Sequence, residues 1–170
     1  MSSPCSPQRP DALEALGAAV RQVAEDSLFA CAEPCERSRT AGLLEARPVT
    51  EQWLTAAIAF NGPFEGVVRM TLPRALAGDL ACAFCGVRPH SLDASQVDDF
   101  AGELANMVCG LWLTQTHRSE RFELTPPVVD AAAARDVAAM AATDPGAFGI
   151  AVNDAPVLIG LAAGSLVKRS

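Results

Sequence analysis

Along the chain, apolar positions recur first with a helical and then with a strand period. From Asp11, residues Leu13, Leu16, Ala19, Val20, Val23 and Leu28 gather on one broad face, with Arg21, Gln22 and Glu25 elsewhere. That spacing predicts an amphipathic helix, which Asp11 and Glu14 are placed to cap and which ends before Pro34. CERSRTAGLLEARPVT, the stretch up to residue 50, has no sustained period and reads as a loop with at most a short strand at 42–46. WLTAAIAF (53–60) and FEGVVRMTL (64–72) flank Asn61-Gly62-Pro63 and read as a β-hairpin. A second helix is predicted over 74–84, with Pro73 before it and Gly86 as its C-terminal stop.

The longest periodic run starts at Asp93 or Ser95 and continues to about His117. FELTPPVVDA (122–131) reads as a strand that Pro126-Pro127 confines to a sheet edge or a bulge. The alanine-rich piece 131–142 fits either a short helix or a loop. AFGIAV (147–152) and PVLIGLA (156–162), joined through Asn153-Asp154, read as a closing hairpin. Strands in local pairs with helices between the pairs predict an α+β fold, a mainly antiparallel sheet with long helices packed on it. Residues 1–10, rich in Ser and Pro, read as a disordered lead-in, and 11–170 as a single domain.

Composition narrows the partners. The chain has 170 residues, half of them apolar, and a net charge of −7. Length and apolar content suit one domain with a sizeable core. The negative charge argues against nucleic acid or an anionic membrane surface as partner. Lys168, the one lysine, is a poor Schiff-base candidate. The first ten residues have no apolar stretch after a basic cluster, and no apolar run is long enough to span a bilayer. The expected location is cytoplasmic, where the six cysteines would be largely reduced.

Within the longest helix lies GELANMVCG, residues 102–110. At ~100° per residue, Val97, Phe100, Ala101, Leu104, Met107, Val108, Leu111 and Trp112 form one apolar arc. Asp99, Glu103, Asn106, Gly110 and His117 fall on the other side, with Gly102 at its margin. Glu103 and Asn106 are neighbours at i and i+3, directed outwards. Each glycine costs the helix about 0.8–1.0 kcal/mol relative to alanine, a cost usually offset by a close backbone approach. Two readings stand at this point. Gly102 and Gly110 either flatten a surface from which an acid and an amide project into a partner, or they admit another element of the same fold.

The ordered set FEGVVRMTLP, a helix closing in Gly86, GELANMVCG and LTPPVV resembles the CheX-like members of the CheC/CheX/FliY family, phosphatases of phosphorylated CheY. Gly66, Gly86, Asp99, Glu103, Asn106, Met107, Gly110, Thr125, Pro126 and Pro127 match the family pattern, over about residues 53–130. The resemblance implies that Glu103 and Asn106 enter a CheY-like receiver domain, with Asp99, Gly102 and Gly110 on the contact surface. It implies that Asn106 orients the water attacking an aspartyl phosphate while Glu103 pairs with the receiver's lysine. It also implies a homodimer, and no cofactor in this chain, since the receiver brings the Mg²⁺. Two features depart from the pattern: Asp130-Ala131-Ala132 stands where relatives often carry Gly, and the connection 131–145 is long. The rival reading is the same fold as a non-catalytic adaptor for a receiver or a flagellar-switch-type partner.

The cysteines raise a third class. CAFC (82–85) and CAEPC (31–35) have metal-like or redox-like spacing. Cys82 and Cys85, however, lie one turn apart on a predicted helix among apolar neighbours, where packing is the expected role and no metal is assigned. His90, in a loop, and His117, near a helix end, have no Ser or Cys partner in view and receive no catalytic role.

Overall fold

The computed structural model describes residues 9–163. Helix α1 spans Arg9–Leu28, so Arg9 and Pro10 belong to the domain. The lead-in expected at 1–10 otherwise lies outside the described residues. Pro10 sits in the first turn, where its missing N–H removes no intrahelical bond, and Asp11 lies within that turn instead of capping it.

Strand β1 (Ala32–Cys35) and helix α2 (Arg37–Glu45) follow. Next come the strands β2 (Gln52–Asn61) and β3 (Gly66–Pro73) and the helices α3 (Arg74–Cys85) and α4 (Ala94–Thr116). Strands β4 (Glu123–Leu124) and β5 (Val128–Ala133) precede helix α5 (Ala134–Thr143). Strands β6 (Ala147–Val152) and β7 (Ala155–Ala163) close the fold. The sheet order is β1-β6-β7-β3-β2-β4, with β5 also on β2, and the paired strands are antiparallel. The α+β expectation therefore holds. The β6–β7 hairpin turns through Asn153 (φ 47°) and Asp154 (φ 64°), two residue types that tolerate the left-handed region a two-residue hairpin loop demands.

Two segments differ from expectation. The stretch 35–50, expected to be a loop with at most a strand at 42–46, is instead helical over Arg37–Glu45, with Cys35 ending β1 and 46–50 irregular. Its apolar content is slight, and tertiary contact supplies what periodicity lacks. Thr40 is buried and fills the space that a Cβ at Gly149 would occupy, while Leu44, like Met140 and Ala141 of α5, packs against the cluster of Trp53, Val137 and Leu158. The ambiguous piece 131–142 divides, its first three residues finishing β5 and the rest forming α5.

The sheet has two unequal faces. One carries Leu54, Ile58, Phe60, Val68, Met70, Val157 and Ile159, all buried, against α1, α3 and α4. The other carries Trp53 and Leu158 beneath α2 and α5, with Val137 completing a small cluster ringed largely by alanines. No helix among the described residues is long and apolar enough to cross a membrane.

Candidate functional site

Helix α4 is fixed at its start by a capping box. The Asp93 carboxylate accepts from the Gln96 backbone N–H, and the Gln96 side-chain carbonyl accepts from the Asp93 N–H, both at 2.9 Å. One turn on, Asp98 pairs with Arg74 of α3 at 2.8 Å, tying the two helices together. Val97, Phe100, Ala101, Leu104, Val108 and Trp112 are buried as the period predicts, while Met107 and Leu111 are half-buried at its margin.

Glu103 is exposed and Asn106 half-buried on the ridge of this helix, with Asp99 exposed one turn before Glu103. The other side-chain contacts of α4 fall elsewhere: Asp98 in its ion pair with Arg74, Gln115 hydrogen-bonded to Gln22, and Thr116 to the Trp112 carbonyl. Among the described residues, Glu103 and Asn106 have no side-chain partner, so the acid and the amide remain available. An unpartnered carboxylate accepts from a cation; a carboxamide both accepts and donates.

The two glycines separate. Gly102, expected on the contact surface, stands at the foot of the ridge where Pro127 packs on the helix. It is buried against its own chain, and a Cβ would stand 3.0 Å from Pro127 Cγ and 3.4 Å from Val129 Cγ2. Gly110 is half-buried, and the nearest atom to its would-be Cβ is Leu124 Cδ1 at 3.9 Å, an ordinary contact.

What presses on Gly102 is a bulge. Phe60 pairs with Leu124 and Ala57 with Val128, so three residues, Thr125 to Pro127, oppose the two residues Ile58 and Ala59. The prolines bring no N–H to the ladder. Thr125 compensates, since its N–H donates to the Ala59 carbonyl at 2.9 Å and its hydroxyl accepts from the Ala59 N–H at 3.1 Å. The bulge carries Pro127 onto Gly102 and leaves a shallow cleft of about 320 Å³ lined by Asp98, Asp99, Gly102, Glu103, Pro127 and Val129. Sequence reasoning missed Val129 and the Arg74–Asp98 pair as supports of the site. The expected Pro126-Pro127 bulge was the available signal for the first.

The other candidates lie apart from this ridge or are spent on packing. Cys82 is buried and Cys85 exposed, one turn apart on α3, while Cys31 precedes the edge strand β1 and Cys35 ends it. Among the described residues no three His, Cys, Asp or Glu side chains gather as a metal-ligand set. Burial pushes the Cys109 thiol up to about 12, which disfavours the thiolate and any nucleophilic role. His117 caps the end of α4. Its Nδ1 lies 3.0 Å from Glu120 Oε2, and its ring packs edgewise on Phe64 and Phe122.

The family model for the chemotaxis phosphatase CheX matches residues 54–150, more than half of the chain and inclusive of the hairpin, α3, α4 and the bulge. This chain belongs to the CheX family. Solved structures agree on the fold. CheX from Vibrio vulnificus is 18% identical with a TM-score of 0.65, over 94% of this chain and 100% of that one. CheX in a CheX–CheY–BeF₃–Mg²⁺ complex from Borrelia burgdorferi is 16% identical with a TM-score of 0.59, over 90% and 97%. FliY from Thermotoga maritima is 14% identical with a TM-score of 0.54, over 98% and 95%. No curated protein sequence matches the chain.

Proposed function

We propose that this protein hydrolyses the aspartyl phosphate of a CheY-like receiver domain, with Asn106 orienting the attacking water and Glu103 anchoring the receiver's lysine. One observation carries the reading: an acid and an amide stand side by side and unpartnered on the exposed ridge of a rigidly capped helix, in a chain of the CheX family. The Borrelia burgdorferi relative, solved in complex with CheY, supports the choice of partner class.

The chemistry suits this inventory. Hydrolysis of a phosphoryl group needs water held in line and charge stabilised, and catalysis is chiefly positioning. The Asn106 side-chain carbonyl accepts a hydrogen bond from the water while its N–H₂ donates one to a phosphoryl oxygen. An amide has no useful pKa, so it orients the water and does not remove a proton as a general base. Glu103 would be repelled by the phosphoryl oxygens unless a cation stood between, and the receiver's lysine is that cation. Asp99 on the same ridge adds to the negative field that attracts it. A Mg²⁺ ion held by the receiver would neutralise phosphoryl charge, and no residue of this chain is assigned to it. The reading includes a homodimer, which sedimentation of the purified protein would test.

The test is the half-life of phosphate on the host's receivers, with and without this protein. Shortening of one receiver's half-life in proportion to protein concentration supports the proposal. Binding to the phosphorylated receiver with an unaltered half-life would replace it with the adaptor reading.

A further inference from the structure

Among the described residues, five large apolar side chains are left well exposed: Phe29, Val49, Phe84, Val87 and Val128. Two of them, Phe84 (47% exposed) and Val87 (42%), stand together at the C-terminal end of α3, beside the ridge of α4. The Phe84 ring lies 5.7 Å from that of Phe100, centroid to centroid. Phe100 precedes Glu103 by three residues, so the two are adjacent on the helix surface. At ~100° per residue, Phe100 and Met107 lie to one side of Glu103, and Gly102, with Pro127 seated on it, lies to the other. A body descending on Glu103 and Asn106 therefore meets an apolar shoulder on the α3 side and the acid-lined proline edge on the β5 side.

The shoulder is held in a fixed shape. Gly86, at φ 66°, ends α3, its N–H bonding to the Ala83 carbonyl at 3.2 Å and the Val87 N–H to the Cys82 carbonyl at 3.0 Å. This is a Schellman ending, in which the residue after the glycine usually folds back onto the helix. Here Val87, three residues after Phe84, stays well exposed. Two apolar groups ordered in advance lose little further entropy when a partner covers them.

We propose that Phe84 and Val87 select the receiver, packing against an apolar side chain at the border of its phosphorylation pocket while Glu103 and Asn106 enter that pocket. The inference rests on the receiver reading above and deepens it. It assigns Phe84 and Val87 to recognition and none of the chemistry to them. Cys85, between them, is carried along by the same turn.

The experiment measures equilibrium binding of the full chain to each host receiver held in its beryllofluoride–Mg²⁺ form, together with KM and kcat for dephosphorylation. Phe84→Ala combined with Val87→Ala weakens binding to the cognate receiver about tenfold, as expected of a small interface hot spot. It raises KM by about the same factor and leaves kcat within about twofold. Phe84→Leu, which keeps an apolar contact and guards against a folding artefact, recovers most of the affinity. Wild-type affinity in the double variant overturns the inference and leaves the receiver reading intact. If wild-type protein binds no loaded receiver, the receiver reading falls and the inference falls with it. Binding that depends on Phe84 without any hydrolysis upholds the inference and removes the phosphatase activity alone.

Discussion

On the face of the sheet beneath α1, α3 and α4, Phe60 meets Trp112 edge to face, centroids 5.6 Å apart, within one continuous apolar cluster. On the opposite face, Trp53 shares its cluster with Leu158 and Val137, and the surrounding contacts are largely alanine. The acid–amide pair rides on the first face, on the helix with the deepest anchorage, the capping box and the cross-helix ion pair. A site that acts by orientation needs this backing, because a small loosening of the support misplaces the groups it holds. Helices α2 and α5 close the far side of the sheet.

The contrast can be broken most strongly in the core. Trp112→Ala is expected to cost about 3–5 kcal/mol by chemical denaturation and to lose site function along with stability. Val137→Ala, on the other face, should cost about 1–2 kcal/mol for its two buried methyl groups and leave receiver dephosphorylation unchanged. Equal loss of activity per unit of lost stability in both variants would show that the faces are not separate in function.

A finer comparison lies within α4. Gly102→Val forces side-chain atoms into Pro127 and should destabilise by about 1–3 kcal/mol, shifting the helix away from the bulge that flanks Glu103. Gly110→Ala meets only the 3.9 Å contact with Leu124 and should stabilise by about 0.8–1.0 kcal/mol through helix propensity. Melting curves of the two variants should therefore move in opposite directions.

The smallest effect is chemical. Iodoacetamide should modify exposed Cys31 and Cys85 in the native protein, while buried Cys82 and Cys109 react after unfolding. Peptide mapping of the alkylated protein reads this directly. Native-state labelling of Cys109 would contradict a core in which its thiol is pushed up to about 12.

Helices α3 and α4 were legible because both carry a long apolar period and explicit ends, Gly86 for one and Asp93 with Gln96 for the other. The outward direction of Glu103 and Asn106 follows from the same period. Helix α2 was not legible: it is nine residues long with Gly42 inside it, and contacts with α5 and the space over Gly149 hold it in place. Alanine obscured α5, because a residue that suits both buried and exposed positions leaves no period to read. Strand β1 is four residues at a sheet edge with Pro34 inside it, too short to show alternation. The role of Gly102 depended on Pro127, distant in sequence and brought close by the bulge. Spacing alone left open whether the glycine faced a partner or its own fold; the contact with Pro127 appears only once the bulge is folded.

Whether Asn106 positions the water is read most directly by comparing wild type with Asn106→Ala on one phosphorylated receiver. Asn106 lies on the helix surface, so its removal takes no large core contact and alanine favours the helix; stability should be little changed. Loss of one positioning group from such a site should slow the protein-stimulated loss of phosphate by ~10²-fold. Glu103→Ala should instead weaken complex formation more than the chemical step, and Glu103→Lys should be worse because it sets two cations together. With Asn106→Ala the receiver-phosphate half-life should lie close to that of the receiver alone, at unchanged melting temperature. A half-life as short as that given by the wild-type protein would contradict the water-positioning role.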